Sequence, residues 1–126
     1  MIKGIRVLGL VEAGFPSAAE EQDLDTTTLD DYLIENREAT YMLTVKGDSM
    51  YDAGIREGDM VIVERGREAR SGDIVIASVE GAFTMKYYRK RGGQIILEPA
   101  NSKYKPIVPQ GKLEIVAVVR GVVRKY

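Results

Sequence analysis

Ser49 lies in Lys46-Gly47-Asp48-Ser49-Met50 and Lys86 follows in Phe83-Thr84-Met85-Lys86, in a chain of 126 residues that contains neither histidine nor cysteine. Those absences remove the imidazole that usually activates a hydroxyl, and every thiol nucleophile. Covalent chemistry here would fall to a serine whose proton goes to something other than histidine. A lysine can accept it only as the neutral amine, and burial in an apolar pocket favours that form. Each residue also has a plainer reading. Gly47-Asp48-Ser49 fits a turn or a helix N-cap, and Lys86 fits the solvated face of a strand.

The elements that would position these residues are mostly β. Residues 40–45, 59–64, 73–79, 82–88, 94–97 and 114–123 are rich in β-branched and aromatic side chains. Gly54, Gly58, Gly66, Gly72 and Gly81 punctuate them, and Gly92-Gly93 reads as a hairpin turn. The expected fold is a compact, strongly bent sheet or partial barrel, with an extended N-terminal arm and one or two short helical turns. One turn is predicted at residues 28–33, where Thr28 and Asp31 have capping-box spacing. The other is Ser49-Met50-Tyr51. A glycine at 47 lets the chain turn sharply out of the first long strand. A serine opening the next turn would carry outward-pointing amides, an arrangement that can form an oxyanion hole. Alternation puts Lys86 on one strand face with Thr84 and Tyr88. The apolar run Ile115-Val116-Ala117-Val118-Val119 predicts a strand buried on both faces, or on one face with a dimer contact on the other. Residues 12–28, with Gly14, Pro16 and the acids Glu20, Glu21, Asp23 and Asp25, read as a solvated arm. The division expected is an arm at 1–28 and a folded domain at 29–126.

Composition narrows the function classes. A formal net charge of -1 gives no basic field for strong direct nucleic-acid binding. Without cysteine or histidine there is no disulfide and no set of zinc ligands. The acids Asp23, Asp25, Asp30 and Asp31 lack the glycine and late glutamate of a calcium loop, so neither metal nor cofactor is expected. Arg89, Lys90 and Arg91, and again Arg120, Arg124 and Lys125, read as solvated faces, with a modest nucleic-acid or polymerase contact as the alternative. Asp52 and Asp59 fall near the serine, but without histidine a triad acid has nothing to orient. No run of about 20 apolar residues suggests a membrane span. The first residues lack the layout of a signal peptide, so a cytoplasmic protein is expected.

Several ordered motifs converge on one resemblance. They are Ala13-Gly14-Phe15-Pro16-Ser17, Val45-Lys46-Gly47-Asp48-Ser49-Met50, Gly54-Ile55-Arg56-Glu57-Gly58-Asp59, Gly72-Asp73-Ile74-Val75, Phe83-Thr84-Met85-Lys86, Glu98-Pro99-Ala100-Asn101-Ser102 and Tyr104-Lys105-Pro106-Ile107. Over residues 7–124 the chain resembles the self-cleaving serine peptidase domains of LexA-type repressors and, more closely, UmuD-type mutagenesis proteins. The resemblance implies that Ser49 is the nucleophile, Lys86 the general base, the Ser49 backbone amide the oxyanion donor, and Ala13-Gly14 the bond cut. It implies a homodimer that stays latent until it meets a recombinase (RecA-type) filament on single-stranded DNA. The cleaved form, residues 14–126, would then assist a translesion polymerase in the SOS response to DNA damage.

Tethering makes latency necessary, because a bond attached to its own catalyst has a high effective concentration. A protonated Lys86 and an arm that rarely occupies the groove would hold the rate down, and a partner favouring the docked arm would raise it by population shift. Small residues at 13 and 14 suit close approach to a serine, and Pro16 limits the arm beyond them. Only 13 residues precede the bond, too few for a helix-turn-helix domain, which favours the UmuD-like reading; the segment is also short for such a protein. Three alternatives stand beside it. They are the C-terminal domain of a LexA-like or phage repressor, a signal-peptidase-like protease acting in trans, and a non-catalytic dimerisation or polymerase-docking module.

Overall fold

The computed structural model describes residues 4–14 and 25–126. Phe15-Pro16-Ser17 and the acids Glu20, Glu21 and Asp23 of the expected arm lie outside the described residues. The chain divides into two compact units, residues 1–35 and 36–126.

In the first unit β1 (Ile5–Val7) pairs antiparallel with β2 (Asp25–Thr27), Ile5 facing Thr27 and Val7 facing Asp25. This corrects the sequence reading, which left residues 5–7 out of the strands and placed 25–27 in a loose arm. Three residues are too few to display an alternation, and these strands are held by a partner distant in sequence. The helix α1 (Leu29–Leu33) forms where its cap predicts, the Asp31 N–H donating to Thr28 Oγ1 at 3.0 Å. Ala13 and Gly14 lie in an exposed bend. Among the described residues no helix is long and apolar enough to cross a membrane.

The second unit is an antiparallel sheet of six strands: β3 (Thr40–Thr44), β4 (Met60–Arg65), β5 (Ile74–Val79), β6 (Ala82–Arg91), β7 (Gln94–Glu98) and β8 (Leu113–Val123). Their order is β3-β4-β8-β5-β6-β7, so the sheet is open at β3 and β7. Register shifts where β8 meets Ile62/Val63 of β4 and Ile76/Ala77 of β5 add the local bends that curve it. Each strand expected from the sequence is present, with ends displaced by a few residues. The largest displacement is in β6, which continues through Arg89, Lys90 and Arg91, paired with Ile96, Ile95 and Gln94. Gly92 and Gly93, at φ 56° and 80°, make the tight turn that returns the chain as β7.

The apolar run in β8 is explained by its place between β4 and β5. Ala117 and Val118 are consecutive, so they face opposite sides, and each is buried in a different cluster. Ala117 packs with Val45, Met50, Ile55, Val61 and Val63. Val118 packs with Val75, Ala77, Tyr88 and Leu97.

Two basic residues assigned to solvated faces do other work. Arg89 Nε lies 3.3 Å from Glu98 Oε2 across the hairpin, with its guanidinium over the Tyr87 ring. Arg124 grips Asp59, which is only 3% exposed: Nε and Nη2 donate to the two carboxylate oxygens at 2.7 Å each, and Nη2 also reaches Gly54 O. The Arg56 N–H donates to Asp59 Oδ2 at 2.8 Å. The hydrogen bonds from Arg124, then that from Arg56, hold the Asp59 carboxyl down at about 2. The ordinary aspartate value is about 3.9, so the folded state gains from the ionised carboxylate above pH ~4 and loses that gain as pH falls toward 2. Asp59→Asn should therefore lower the melting temperature at pH 7 and flatten the fall of stability between pH ~4 and ~2. Thermal melts over that range check both effects.

Candidate active site

The turn carrying Ser49 begins where β3 ends, and backbone bonds fix that end. The Val45 N–H donates to Asp59 O at 2.8 Å and the Gly58 N–H to Val45 O at 2.9 Å. Gly47 then takes φ 86°, a conformation costly for any residue with a Cβ, and its N–H donates to Glu57 Oε1 at 3.0 Å. Met50 is 2% exposed and plants the turn in the core. The single helical turn expected at Ser49-Met50-Tyr51 is a 3-10 turn at Tyr51–Ala53, with Gly54 in the left-handed conformation as its cap. Met50, at φ -117° and ψ 22°, is not helical, because its side chain is committed to the core before the turn begins. Ser49, half-buried, lies in the turn closed by the Tyr51 N–H donating to Asp48 O at 3.1 Å, immediately before the 3-10 turn.

Lys86 faces Val75 across the β5–β6 ladder, next to a fully buried side chain. It is itself only 8% exposed. Nζ lies 3.0 Å from Ser49 Oγ, 2.6 Å from Thr84 Oγ1 and 3.1 Å from Met85 O. Thr84 shares the face of Lys86, as alternation predicts. Lys86 has no ion-pair partner among the described residues, and burial pushes its amine below the usual lysine range. A neutral amine has two N–H donors and one lone pair. The Met85 carbonyl can only accept, and Thr84 Oγ1 takes the second N–H. The lone pair is then left for the Ser49 hydroxyl, so the contact that Nζ donates when charged reverses when it is neutral.

The two residues come together through the β6–β7 hairpin. Glu98 pairs with Tyr87, the neighbour of Lys86, and the chain leaving β7 reaches the nucleophile turn two residues later. There the Ala100 N–H donates to Ser49 O at 2.8 Å and the Asp52 N–H to Ala100 O at 2.7 Å. Asn101 Nδ2 donates to Asp48 O, also at 2.8 Å. The Asp48 carboxylate accepts from the Tyr104 hydroxyl and from Lys103 Nζ at 3.3 Å. These bonds, Tyr104 foremost, hold the Asp48 carboxyl below the usual aspartate range.

Sequence reasoning assigned no role to Thr84, Asp48, Ala100, Asn101 or Tyr104. Their motifs were visible, but a clamp made of backbone groups and one amide side chain leaves no distinctive spacing. Asp59 is bound to Arg124 and Asp52 joins the clamp through its backbone, so neither stands as a triad acid. Among the described residues no group of three His, Cys, Asp or Glu could hold a metal ion.

A model of the Peptidase S24-like family matches residues 6–120. The chain belongs to that family. Among its curated relatives, the LexA repressor of Leptospira biflexa is 42% identical over 123 residues, covering 98% of this chain and 60% of the relative. The LexA repressor of Carboxydothermus hydrogenoformans is 40% identical over 124 residues, covering 97% and 60%. That of Cereibacter sphaeroides is 38% identical over 122 residues, covering 95% and 54%. The chain therefore spans between about half and three-fifths of the length of these relatives.

A buried amine in this S24-like site sets a stability signature. Its folded pKa lies below the unfolded lysine value of about 10.4, so the unfolded chain binds more protons and stability rises as pH climbs between the two. Lys86→Met, similar in length and uncharged, should raise the melting temperature at pH 7, and the gain should shrink as pH approaches ~10.5. Paired melts of the two proteins from pH 6 to 10.5 measure it.

Proposed function

We propose that this chain is a latent serine peptidase that cuts its own Ala13-Gly14 bond. Ser49 is the nucleophile, Lys86 the general base that takes its proton, and the Ser49 amide the donor to the developing oxyanion. The observation carrying this reading is the 3.0 Å approach of a buried lysine amine, without an ion-pair partner among the described residues, to a serine hydroxyl. Attack of Ser49 Oγ on the Ala13 carbonyl forms the acyl-enzyme and releases the new amino terminus at Gly14, which takes the proton back from Lys86; water then hydrolyses the ester. Ala13 and Gly14 are small, exposed and at the end of an apolar stretch containing Leu10 and Val11, which are also exposed. An arm seated over Lys86 would exclude more water and push the amine further toward its neutral form. Docking and activation of the base would thus be coupled.

On this reading the protein is a cytoplasmic homodimer, and a RecA-type filament on single-stranded DNA stimulates cutting in the SOS response. The resemblance to UmuD-type proteins supports a cleaved form that assists a translesion polymerase. A second reading has its own support: the curated relatives are LexA repressors of which this chain matches little more than half, as the peptidase portion of a repressor would. A mutagenesis reporter separates the two. Expression of residues 14–126 should raise damage-induced mutation if the cleaved form serves a polymerase, and leave it unchanged if cleavage serves only to inactivate a repressor.

The chemistry is tested by incubating purified protein at pH ~10, where alkali adds to the effect of burial in favouring the neutral Lys86 amine. A fragment beginning at Gly14 should accumulate at a rate independent of protein concentration if cutting occurs within a molecule or a stable dimer. Ser49→Ala and Lys86→Ala should each lower that rate by about 10⁴-fold or more. No fragment at alkaline pH or with an activated recombinase filament sinks the peptidase reading, and cleavage surviving either substitution sinks the dyad.

A further inference from the structure

We infer that Asn101 is a positioning residue that aims the oxyanion-binding amide of Ser49; this rests on the peptidase reading proposed above. The Asp48–Ser49 peptide is trans, as is every peptide bond described. In a trans peptide the C=O and the following N–H point in opposite directions in one plane. Whatever holds the Asp48 carbonyl therefore sets where the Ser49 N–H points. Two donors hold it: Asn101 Nδ2 at 2.8 Å and the Tyr51 N–H at 3.1 Å. The N–H on the other side has no acceptor among the described residues, as an amide reserved for a ligand oxygen requires.

Asn101 is suited to this in both halves of its amide. Its Oδ1 accepts from the Lys103 N–H at 3.0 Å, which leaves Nδ2 facing the Asp48 carbonyl. Because Lys103 N–H can only donate and Asp48 O can only accept, the orientation of the amide is fixed by its partners. The neighbouring Ala100 N–H holds the Ser49 carbonyl. The carbonyls before and after the Ser49 Cα are thus gripped by consecutive residues, leaving the peptide plane between Asp48 and Ser49 little freedom to rotate. The Tyr51 N–H closes the turn over Ser49 through the Asp48 carbonyl, and the side chain of Asn101 adds the shorter of the two bonds to that same oxygen.

The test is the pH–rate profile of self-cleavage for the full chain, wild type against Asn101→Asp and Asn101→Ala, with a thermal melt of each. Asn101→Asp keeps the acceptor for Lys103 and loses the donor to Asp48. Asn101→Ala removes both without adding charge. Loss of one oxyanion donor costs about 10²–10³-fold in rate, and a donor that is misdirected rather than removed should cost about 10–100-fold. The alkaline plateau should fall by that factor in both variants, while the midpoint of the profile in Asn101→Ala, which reads Lys86, stays at the wild-type pH. A plateau equal to wild type overturns the inference. So does a profile whose midpoint moves in Asn101→Ala with the plateau intact, or loss of fold in both variants, which would make Asn101 a structural residue. Wild-type protein that yields no Gly14 fragment at any pH overturns the peptidase reading itself, and this inference with it.

Discussion

The site depends on one contact, the approach of the Lys86 amine to the Ser49 hydroxyl, and that contact is expensive to maintain. A lysine 8% exposed and without an opposing charge among its described neighbours gives up hydration with only three uncharged oxygens in return. Those oxygens come from the Thr84 hydroxyl, the Met85 carbonyl and the Ser49 hydroxyl, so they satisfy the donors without fixing the charge. A carboxylate in the same place would stabilise the ammonium form and leave no lone pair to accept a proton. The neutrality of the pocket is therefore part of its chemistry. The rest of the second unit can be read as what keeps a destabilising group in position.

That task falls mainly to the β6–β7 hairpin. It carries Lys86 in mid-strand, paired with Val75 of β5 and one residue before the ladder to β7 begins, and its far end delivers Ala100 and Asn101 to the turn holding Ser49. Ser49 is thus referenced through Ala100 and Asn101 to the hairpin that bears Lys86. Across the sheet, Arg124 ties the segment after β8 to Asp59 and Gly54, which lie just beyond the nucleophile turn. The Asp59 backbone in turn receives the Val45 N–H at the end of β3. The turn is therefore held on one side by the hairpin and on the other by an ion pair whose carboxylate is buried.

Much of this was legible in the sequence, and the reasons differ by element. The six long strands announced themselves because each combines β-branched residues with flanking glycines. Gly92-Gly93 permitted only a tight turn. Thr28 and Asp31 carried a local signal, and α1 is capped as that spacing demands. The lack of histidine and cysteine made Ser49 and Lys86 a possible pair, and only the resemblance carried by the ordered motifs implied their roles. The strands β1 and β2 were missed because their only support is each other across an intervening stretch, and three-residue strands have no visible period. Arg124 was misjudged for a related reason: a basic residue near a terminus looks solvated until the fold supplies a buried aspartate 65 positions away. The clamp was hardest to see. Backbone donors such as Ala100 N–H have no identity in a sequence, and an asparagine after a proline is ordinary loop composition.

The distribution of rigidity across the site follows from where its parts lie. Lys86 sits in a strand, paired with Val75 of β5, so its backbone is held by the ladder. Ser49 sits on a turn between strands, where rotation of a single peptide plane would redirect both its hydroxyl and its amide. The restraints accordingly concentrate on the turn: Met50 beneath it, Glu57 on the Gly47 amide, Ala100 and Asn101 on the flanking carbonyls, and Tyr104 with Lys103 on the Asp48 carboxylate. None of these touches the Lys86 amine, so the geometry of Ser49 and the surroundings of Lys86 are set by separate groups of residues. Alignment is supplied by the fold, and burial moves the Lys86 amine below the usual lysine range.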